Sequence, residues 1–191
     1  MIYIIRHGKT ELNRANVLQG HSDFPLDEEG VRQAEKAADM LRDVDFSYVF
    51  SSPLIRAIQT AGIIAPGKDI KTDGRLIEMD YGPYEGADLR NPPAEIQDFF
   101  RDFVHNPAPK GMEPLGDVVR RTGEFLEAVK AFSGNILIST HAIAMKGMLE
   151  YLTPGSGGSY WAKYIGNCAV YTAENSGGDI GIPQEFPSVW P

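Results

Sequence analysis

Three short apolar runs, each stopping at a polar loop and each giving way to helical spacing, constrain this chain more than any other feature. Met1 to Arg6 is aliphatic and β-branched and halts at Gly8, as a strand buried on both faces does. Beyond a polar loop Asp27 offers an N-cap, and Val31, Ala34, Ala38 and Leu41 recur at helical spacing up to Arg42. Tyr48 to Phe50 reads as a second strand running into Ser51-Ser52-Pro53. There Ser52 can cap and Pro53 can open a helix reaching about Ile64. A short strand follows near Asp69 to Thr72. Leu115 to Phe132 is amphipathic and is closed by Gly134. Asn135 to Ser139 is an apolar strand ending at Thr140-His141, followed by a helix from about Ala142 to Leu152, and Ala169 to Thr172 supplies a last strand. Strands alternating with helices predict an α/β chain: a three-layer α/β/α sandwich with a mostly parallel central sheet. Its ligands would bind outside the carboxyl ends of the strands.

With 191 residues, 42% of them apolar, the chain can bury one core. Residues 1–174 are expected to form a single domain. Between residues 79 and 114, Gly82, Pro83, Gly86, Pro92, Pro93, Pro107, Pro109 and Gly111 enclose one helical stretch, Ala94 to Val104, which has the character of a lid. Residues 175–191 form a Gly/Pro-rich tail without periodicity, expected as coil. Eighteen Lys and Arg stand against 26 Asp and Glu, a net charge of -8 with no basic stripe, which argues against nucleic acid and anionic membrane as partners. The early apolar run is too short for a signal-peptide core or a membrane span, so a cytoplasmic protein is expected. Cys168 is the single cysteine and sits in a strand-like stretch, as a buried hydrophobe does.

Gly8-Lys9-Thr10 suggests a phosphate loop, but that motif needs a glycine five residues before Gly8, and position 3 is Tyr. What remains is a histidine closing each of two apolar strands, His7 after Arg6 and His141 after Thr140. A parallel sheet puts both on one edge. Arg56 lies one turn into the helix after a third strand end and can face the same crevice. Two arginines beside two histidines in a chain of net charge -8 make a local reversal of sign that suits phosphate.

These residues carry a resemblance to the histidine phosphatase superfamily, to which cofactor-dependent phosphoglycerate mutases belong. It runs from Tyr3 to about Thr172. Ile5 through Asn13 resembles the family's Arg-His-Gly signature, and Gln19 through Gly30 its substrate-side loop. Ser51 through Ala61 resembles the segment whose arginine holds phosphoryl oxygens. Leu76-Ile77-Glu78 with Tyr81 to Gly86 resembles the acid-bearing segment, and Ser139-Thr140-His141 the second histidine. Two departures stand out: Ala142 follows the second histidine where glycine is common, and Gly111-Met112-Glu113-Pro114 replaces Gly-Glu-Ser.

The resemblance implies a phosphoglycerate mutase-like fold and attack by His7 on a phosphomonoester to give a phosphohistidine. Arg6, Arg56 and His141 would stabilise the transferring phosphoryl group, and Glu78 would act as general acid. Asn13, Gln19, Gly20, Thr10 and Ala142 follow as substrate-binding positions. No cofactor is expected, and no Mg²⁺ or Zn²⁺ ligand set is apparent. A phosphatase acting on a small phosphorylated metabolite is the leading expectation, because residues 79–114 are short beside the insertion of dedicated mutases. The alternatives are a phosphoglycerate mutase and a phospho-ligand-binding protein without catalysis. An exposed edge strand or the aromatic lid could pair two chains as a homodimer. His21 and His105 are expected at the surface.

Overall fold

The computed structural model describes residues 1–187. Its six-stranded sheet has the order β3-β2-β4-β1-β5-β6, formed by β1 (Ile2–Arg6), β2 (Phe46–Ser51), β3 (Ile70–Thr72), β4 (Asn135–Thr140), β5 (Val170–Ala173) and β6 (Gln184–Glu185). The first four strands are parallel to one another, and β5 and β6 complete the sheet antiparallel. The helices are α1 (Glu11–Arg14), α2 (Glu28–Met40), α3 (Ile55–Ile64), α4 (Ala94–Arg101), α5 (Leu115–Val129), α6 (Ala142–Leu152) and α7 (Ser159–Ala162). The three-layer α/β/α reading of the sequence is what the chain forms. Among the described residues no helix is long and apolar enough to cross a membrane.

Period-two alternation divides the core between the two faces of the sheet. Ile2 and Ile4 of β1, Phe50 of β2, and Ile136 and Ile138 of β4 pack against Phe125, Leu126, Met145 and Met148 of α5 and α6. Their neighbours Ile5, Val49 and Leu137 pack on the other face against Ala34, Ala37 and Ala61 of α2 and α3. A third cluster lies under residues 79–114, where Met79, Tyr81, Ile96, Phe99 and Met112 meet Val118, Ile143 and Trp161. The lid-like segment therefore has its own core.

Several boundaries differ from the sequence reading, each for a physical reason. The third helix starts at Ile55 rather than Pro53 and has no side-chain cap of its own. The Ser52 hydroxyl is engaged by His141 and by the Leu54 N–H, and the Asp23 carboxylate accepts the Ile55 N–H in its place. The Ala94 helix ends at Arg101, because the Asp102 carboxylate accepts the N–H groups of Val104 and His105 in a turn. Cys168 lies outside β5 with a positive φ of 56°. Its thiol is pushed up to about 12 by burial, which leaves it inert. Part of the tail pairs with β5 as the strand β6, where coil was expected. The sequence reading also lacked α1 and α7, each a single turn.

Candidate active site

Parallel pairing of β1 with β4 sets Arg6 opposite Thr140, so the next residue of each strand is a histidine at the same sheet edge. The chain leaves β1 for α2 on one face and β4 for α6 on the other. That makes this edge the topological switch point of the sheet. The His7 N–H donates to the Thr140 carbonyl at 2.9 Å, and the two imidazole rings lie 5.0 Å apart at 62°. Gly8 lets the chain turn away tightly, since a Cβ there would come within 2.4 Å of the Gly30 carbonyl oxygen.

Hydrogen bonds fix the tautomer of each ring. His7 Nδ1 lies 2.6 Å from the Gly8 carbonyl oxygen, which can only accept, so the proton resides on Nδ1 and Nε2 carries the lone pair. Arg56 Nε donates to His7 Nε2 at 3.3 Å and to His141 Nδ1 at 3.2 Å. His141 therefore keeps its proton on Nε2, 2.7 Å from the Ser52 hydroxyl. Burial, more than the neighbouring cations, holds both rings well below the ordinary histidine range, with Arg56 the next contributor to each. Both are neutral at pH 7.

Arg56 is fully buried and remains charged, its guanidinium lowered by burial to about 10. Its Nη1 and Nη2 donate to the carbonyls of Ser22 and Gly20, both at 2.7 Å. That loop is held in turn by Glu85, which accepts from the N–H groups of Gly20 and Ser22 and from the Ser22 hydroxyl. Gly20 is required to be glycine, because a Cβ would stand 2.6 Å from the Met79 carbonyl oxygen. Arg6 Nη1 donates to the Ile165 carbonyl at 2.6 Å, while its buried Nε has no partner. A buried, charged and unsatisfied donor calls for an anion.

Glu78 is 4% exposed and lies against the N-terminus of α6. Its Oε1 accepts from the N–H groups of Met79, Ile143 and Ala144 at 2.9 to 3.1 Å. Oε2 has one longer contact, 3.3 Å from the Ile143 N–H. One oxygen anchors the carboxyl group, and the other is the one with capacity to act on a ligand. Ala142 opens α6 beside His141.

Asn13 stands at the mouth of the site. Its Oδ1 accepts from the Thr10 N–H and from Asn167 Nδ2, each at 3.3 Å, which directs its own amide donors toward the crevice. Thr10 is fully buried behind it, and its hydroxyl caps α1 and donates to Gln19 Oε1 at 2.7 Å. Gln19 Nε2 in turn donates to the Ser22 carbonyl at 3.5 Å, which leaves one amide N–H to offer a ligand. Asn167 also donates to the His7 carbonyl at 3.0 Å. Ser52, Glu85 and Asn167 were not singled out as site residues by the sequence reading. Their partners are 89, 63 and 160 residues away, and the turn-forming Gly-Asn before a strand was the one signal for Asn167. His21 is exposed, yet its Nε2 lies 3.0 Å from the Glu78 carbonyl oxygen. His105 is exposed and pairs with Asp102. A cleft of about 660 Å³, lined by Arg6, Lys9, Asn13, Tyr164 and Asn167 among others, takes in two of the site residues, Arg6 and Asn13. Among the described residues no three of His, Cys, Asp and Glu gather as a metal-ligand group.

A fold with two neutral histidines, two guanidinium groups and a carboxyl group at one switch point defines an anion-handling α/β site. The model of the histidine phosphatase superfamily (branch 1) matches residues 2–182, and the chain belongs to this family. It is 31% identical over 167 residues to the adenosylcobalamin/alpha-ribazole phosphatase of Salmonella typhimurium, covering 84% of this chain and 83% of that protein. It is 37% identical over 118 residues to the "Probable phosphoglycerate mutase GpmB" of Proteus mirabilis; that match covers 61% of this chain and about half, 54%, of that protein. Among solved structures, Bacillus stearothermophilus YhfR superposes with a TM-score of 0.82 at 27% identity, covering 95% of this chain and 94% of that one.

Proposed function

We propose that this protein is a phosphomonoester phosphatase that works through a phosphohistidine on a small phosphorylated metabolite. The observation that carries the reading is the tautomer of His7, whose Nε2 lone pair faces Arg56 and His141 while Nδ1–H is held by the Gly8 carbonyl. In the first step that lone pair attacks phosphorus in line, and the N–P bond forms as the P–O bond to the leaving group breaks. Glu78 delivers a proton to the departing oxygen. In the second step Glu78 takes a proton from water as the water oxygen attacks phosphorus, the N–P bond breaks, and inorganic phosphate leaves. Phosphorylation makes the ring cationic, and the Gly8 carbonyl stabilises that charge. Arg6 and Arg56 act as fixed donors to the equatorial oxygens, where charge is carried in the transition state, and His141, whose one proton meets the Ser52 hydroxyl, joins them once the bound dianion brings a proton to its Nδ1. Asn13 and Gln19 add amide donors, and Gly20, Thr10 and Ala142 shape the loops that hold them. The reading takes residues 1–174 as one catalytic domain and residues 79–114 as its lid. It places the enzyme in the cytoplasm, where phosphorylated metabolites are made, with the homodimer to be tested by sedimentation.

A phosphoglycerate mutase would share every one of these groups, and the identity to the Proteus mirabilis protein favours it. A mutase must shelter its phosphohistidine from water. The open cleft beside Arg6 and Asn13 and the longer match to a phosphatase support hydrolysis. Inorganic phosphate release from a panel of phosphomonoesters, measured in chelator beside His7→Ala, tests the reading. Release that falls on the order of 10³-fold or more in the variant is expected. Isomerisation of 3-phosphoglycerate without release would make the protein a mutase. Binding without either reaction would make it a binding protein.

A further inference from the structure

Glu113 closes the segment 79–114 and has no task in the chemistry above. It stands in the Gly111-Met112-Glu113-Pro114 stretch that replaces Gly-Glu-Ser, directly before α5. Its carboxylate accepts from Arg121 of α5, from Nε at 2.7 Å and from Nη2 at 3.1 Å. With side chains 17% and 13% exposed, Glu113 and Arg121 form the least exposed ion pair among the described residues. A pair withdrawn this far from water offers little net stability over apolar side chains of the same size, so its value lies in the geometry it fixes. Arg121 Nη1 donates to the carbonyls of Arg75 and Ile77, at 2.8 and 2.6 Å. Glu113 Oε2 accepts the Asp80 N–H at 3.2 Å, and the Glu113 N–H donates to the Asp80 carbonyl at 2.8 Å. Glu78 lies between these two grips.

The placement of Glu78 depends on such grips. A single 3₁₀ turn ends at Leu76, and residues 77–80 belong to no helix or strand, so no ladder of backbone bonds fixes the stretch that carries the carboxyl group. Side chains from other elements do so instead. The Thr140 hydroxyl donates to the Leu76 carbonyl at 2.8 Å, and His21 Nε2 lies 3.0 Å from the Glu78 carbonyl oxygen. Arg121 and Glu113 hold the residue before Glu78 and the second residue after it. Two carboxylate oxygens set the plane of a guanidinium, and the remaining Nη1 donors are then aimed at fixed points. One oxygen of Glu78 must meet the N–H groups of Ile143 and Ala144 while the other meets a ligand. A displacement of about 1 Å at such a group can cost on the order of 100-fold in rate.

We infer that Glu113 and Arg121 are positioning residues for Glu78, gripping its loop from both sides so that one ion pair sets both the end of the lid and the general acid. The inference rests on the reading of Glu78 as general acid above. A pair that only pinned down the lid would slow every substrate alike, whereas a misplaced acid slows the substrates whose leaving group requires a proton.

Propyl phosphate releases an alkoxide, which must be protonated as it departs, and 4-nitrophenyl phosphate releases a phenolate, which departs without a proton. The ratio kcat/KM covers the steps up to departure of the leaving group, so hydrolysis of the phosphohistidine does not enter the comparison. We would measure it for both substrates on the wild type, on Arg121→Lys, which keeps the charge but not the fork, on Glu113→Gln, and on Glu78→Gln as reference. Arg121→Lys is expected to lose about 10- to 100-fold on propyl phosphate and less than about threefold on 4-nitrophenyl phosphate, the pattern of Glu78→Gln in milder form. Glu113→Gln should shift the two in the same direction. Equal losses on both substrates, or no loss on either, in Arg121→Lys overturn the inference; if that variant does not fold, Glu113→Gln decides by the same criterion. Amide exchange of Ile143 and Ala144, whose N–H groups hold the Glu78 carboxyl group, reads the placement without turnover. In the folded variant it should accelerate about tenfold or more while the amides of β1 and β4 keep their protection, and unchanged exchange overturns the inference. Absence of phosphate release by the wild type, or equal losses in Glu78→Gln, would count against the reading above, while the exchange of these two amides still decides whether the pair positions Glu78.

Discussion

His7 and His141 are ionisable groups that folding keeps neutral, and this has a consequence for stability. Burial lowers both pKa values well below about 6.5, so below that pH the unfolded chain binds protons that the folded chain refuses. The contribution of each ring is fully present above about 6.5. It is lost as pH falls from there toward the lowered folded value, at about 1.4 kcal/mol per pH unit in the window. Urea unfolding of the wild type and of His141→Gln at pH 6.5 and 5.5 should show a larger loss in the wild type, by roughly that amount. Equal slopes would mean that the His141 ring accepts a proton in the folded protein. The histidines and arginines of the candidate site were legible in the sequence because each sits at a strand end or in the first turn of a helix, and a parallel sheet brings such positions together, whereas Glu78, in the loop after Leu76, was reached only through the family resemblance. Ser52 and Asn167 were not legible. Their significance comes from partners that only the folded chain supplies, such as the Ser52 hydroxyl meeting His141 across 89 residues.

Elements with long periodic patterns were legible, and those made by tertiary context were not. The spacing of Ala142 to Leu152 yields α6 because apolar contacts on its buried side dominate its length. The single turns α1 and α7 cannot sustain themselves; α1 exists through the capping box between Thr10 and Asn13. The strand β6 is two residues that gain order from β5 and from the Lys163–Glu185 ion pair. The segment 79–114 holds together differently, through a cluster separate from the two sheet faces except where it meets Val118 of α5 and Ile143 of α6. Phe99 is 1% exposed at its centre, with the Phe100 and Phe103 rings 5.5 and 4.8 Å away. Phe99→Ala is expected to cost about 3 kcal/mol or more of local stability. Hydrogen exchange of residues 94–101 should then accelerate on the order of 100-fold while the amides of β1 and β4 keep their protection. Acceleration spread evenly over the sheet would show that the segment unfolds only with the whole chain.

At the scale of the whole molecule, two fields of opposite sign act on an incoming phosphomonoester. The chain as a whole carries -8 and repels a dianion at long range. Arg6 and Arg56 attract it at short range from within the fold, where salt screens little. These fields respond differently to ionic strength. At 0.15 M the Debye length is about 8 Å, so the surface carboxylates are largely hidden from a ligand until it reaches the cleft; near 0.01 M it is about 30 Å, and the repulsion extends well beyond the protein surface. Lowering the salt should therefore slow capture of a dianionic substrate, by roughly threefold in kcat/KM, whereas an enzyme steered by a basic surface would speed up. The effect belongs to the substrate's charge as much as to the protein's. The same titration with a monoanionic phosphodiester as competitive inhibitor should move its inhibition constant about half as far on a logarithmic scale. If kcat/KM instead rises as salt is removed, the two buried guanidinium groups govern the approach as well as the bound state, and the net charge of the chain has no part in selecting what reaches His7.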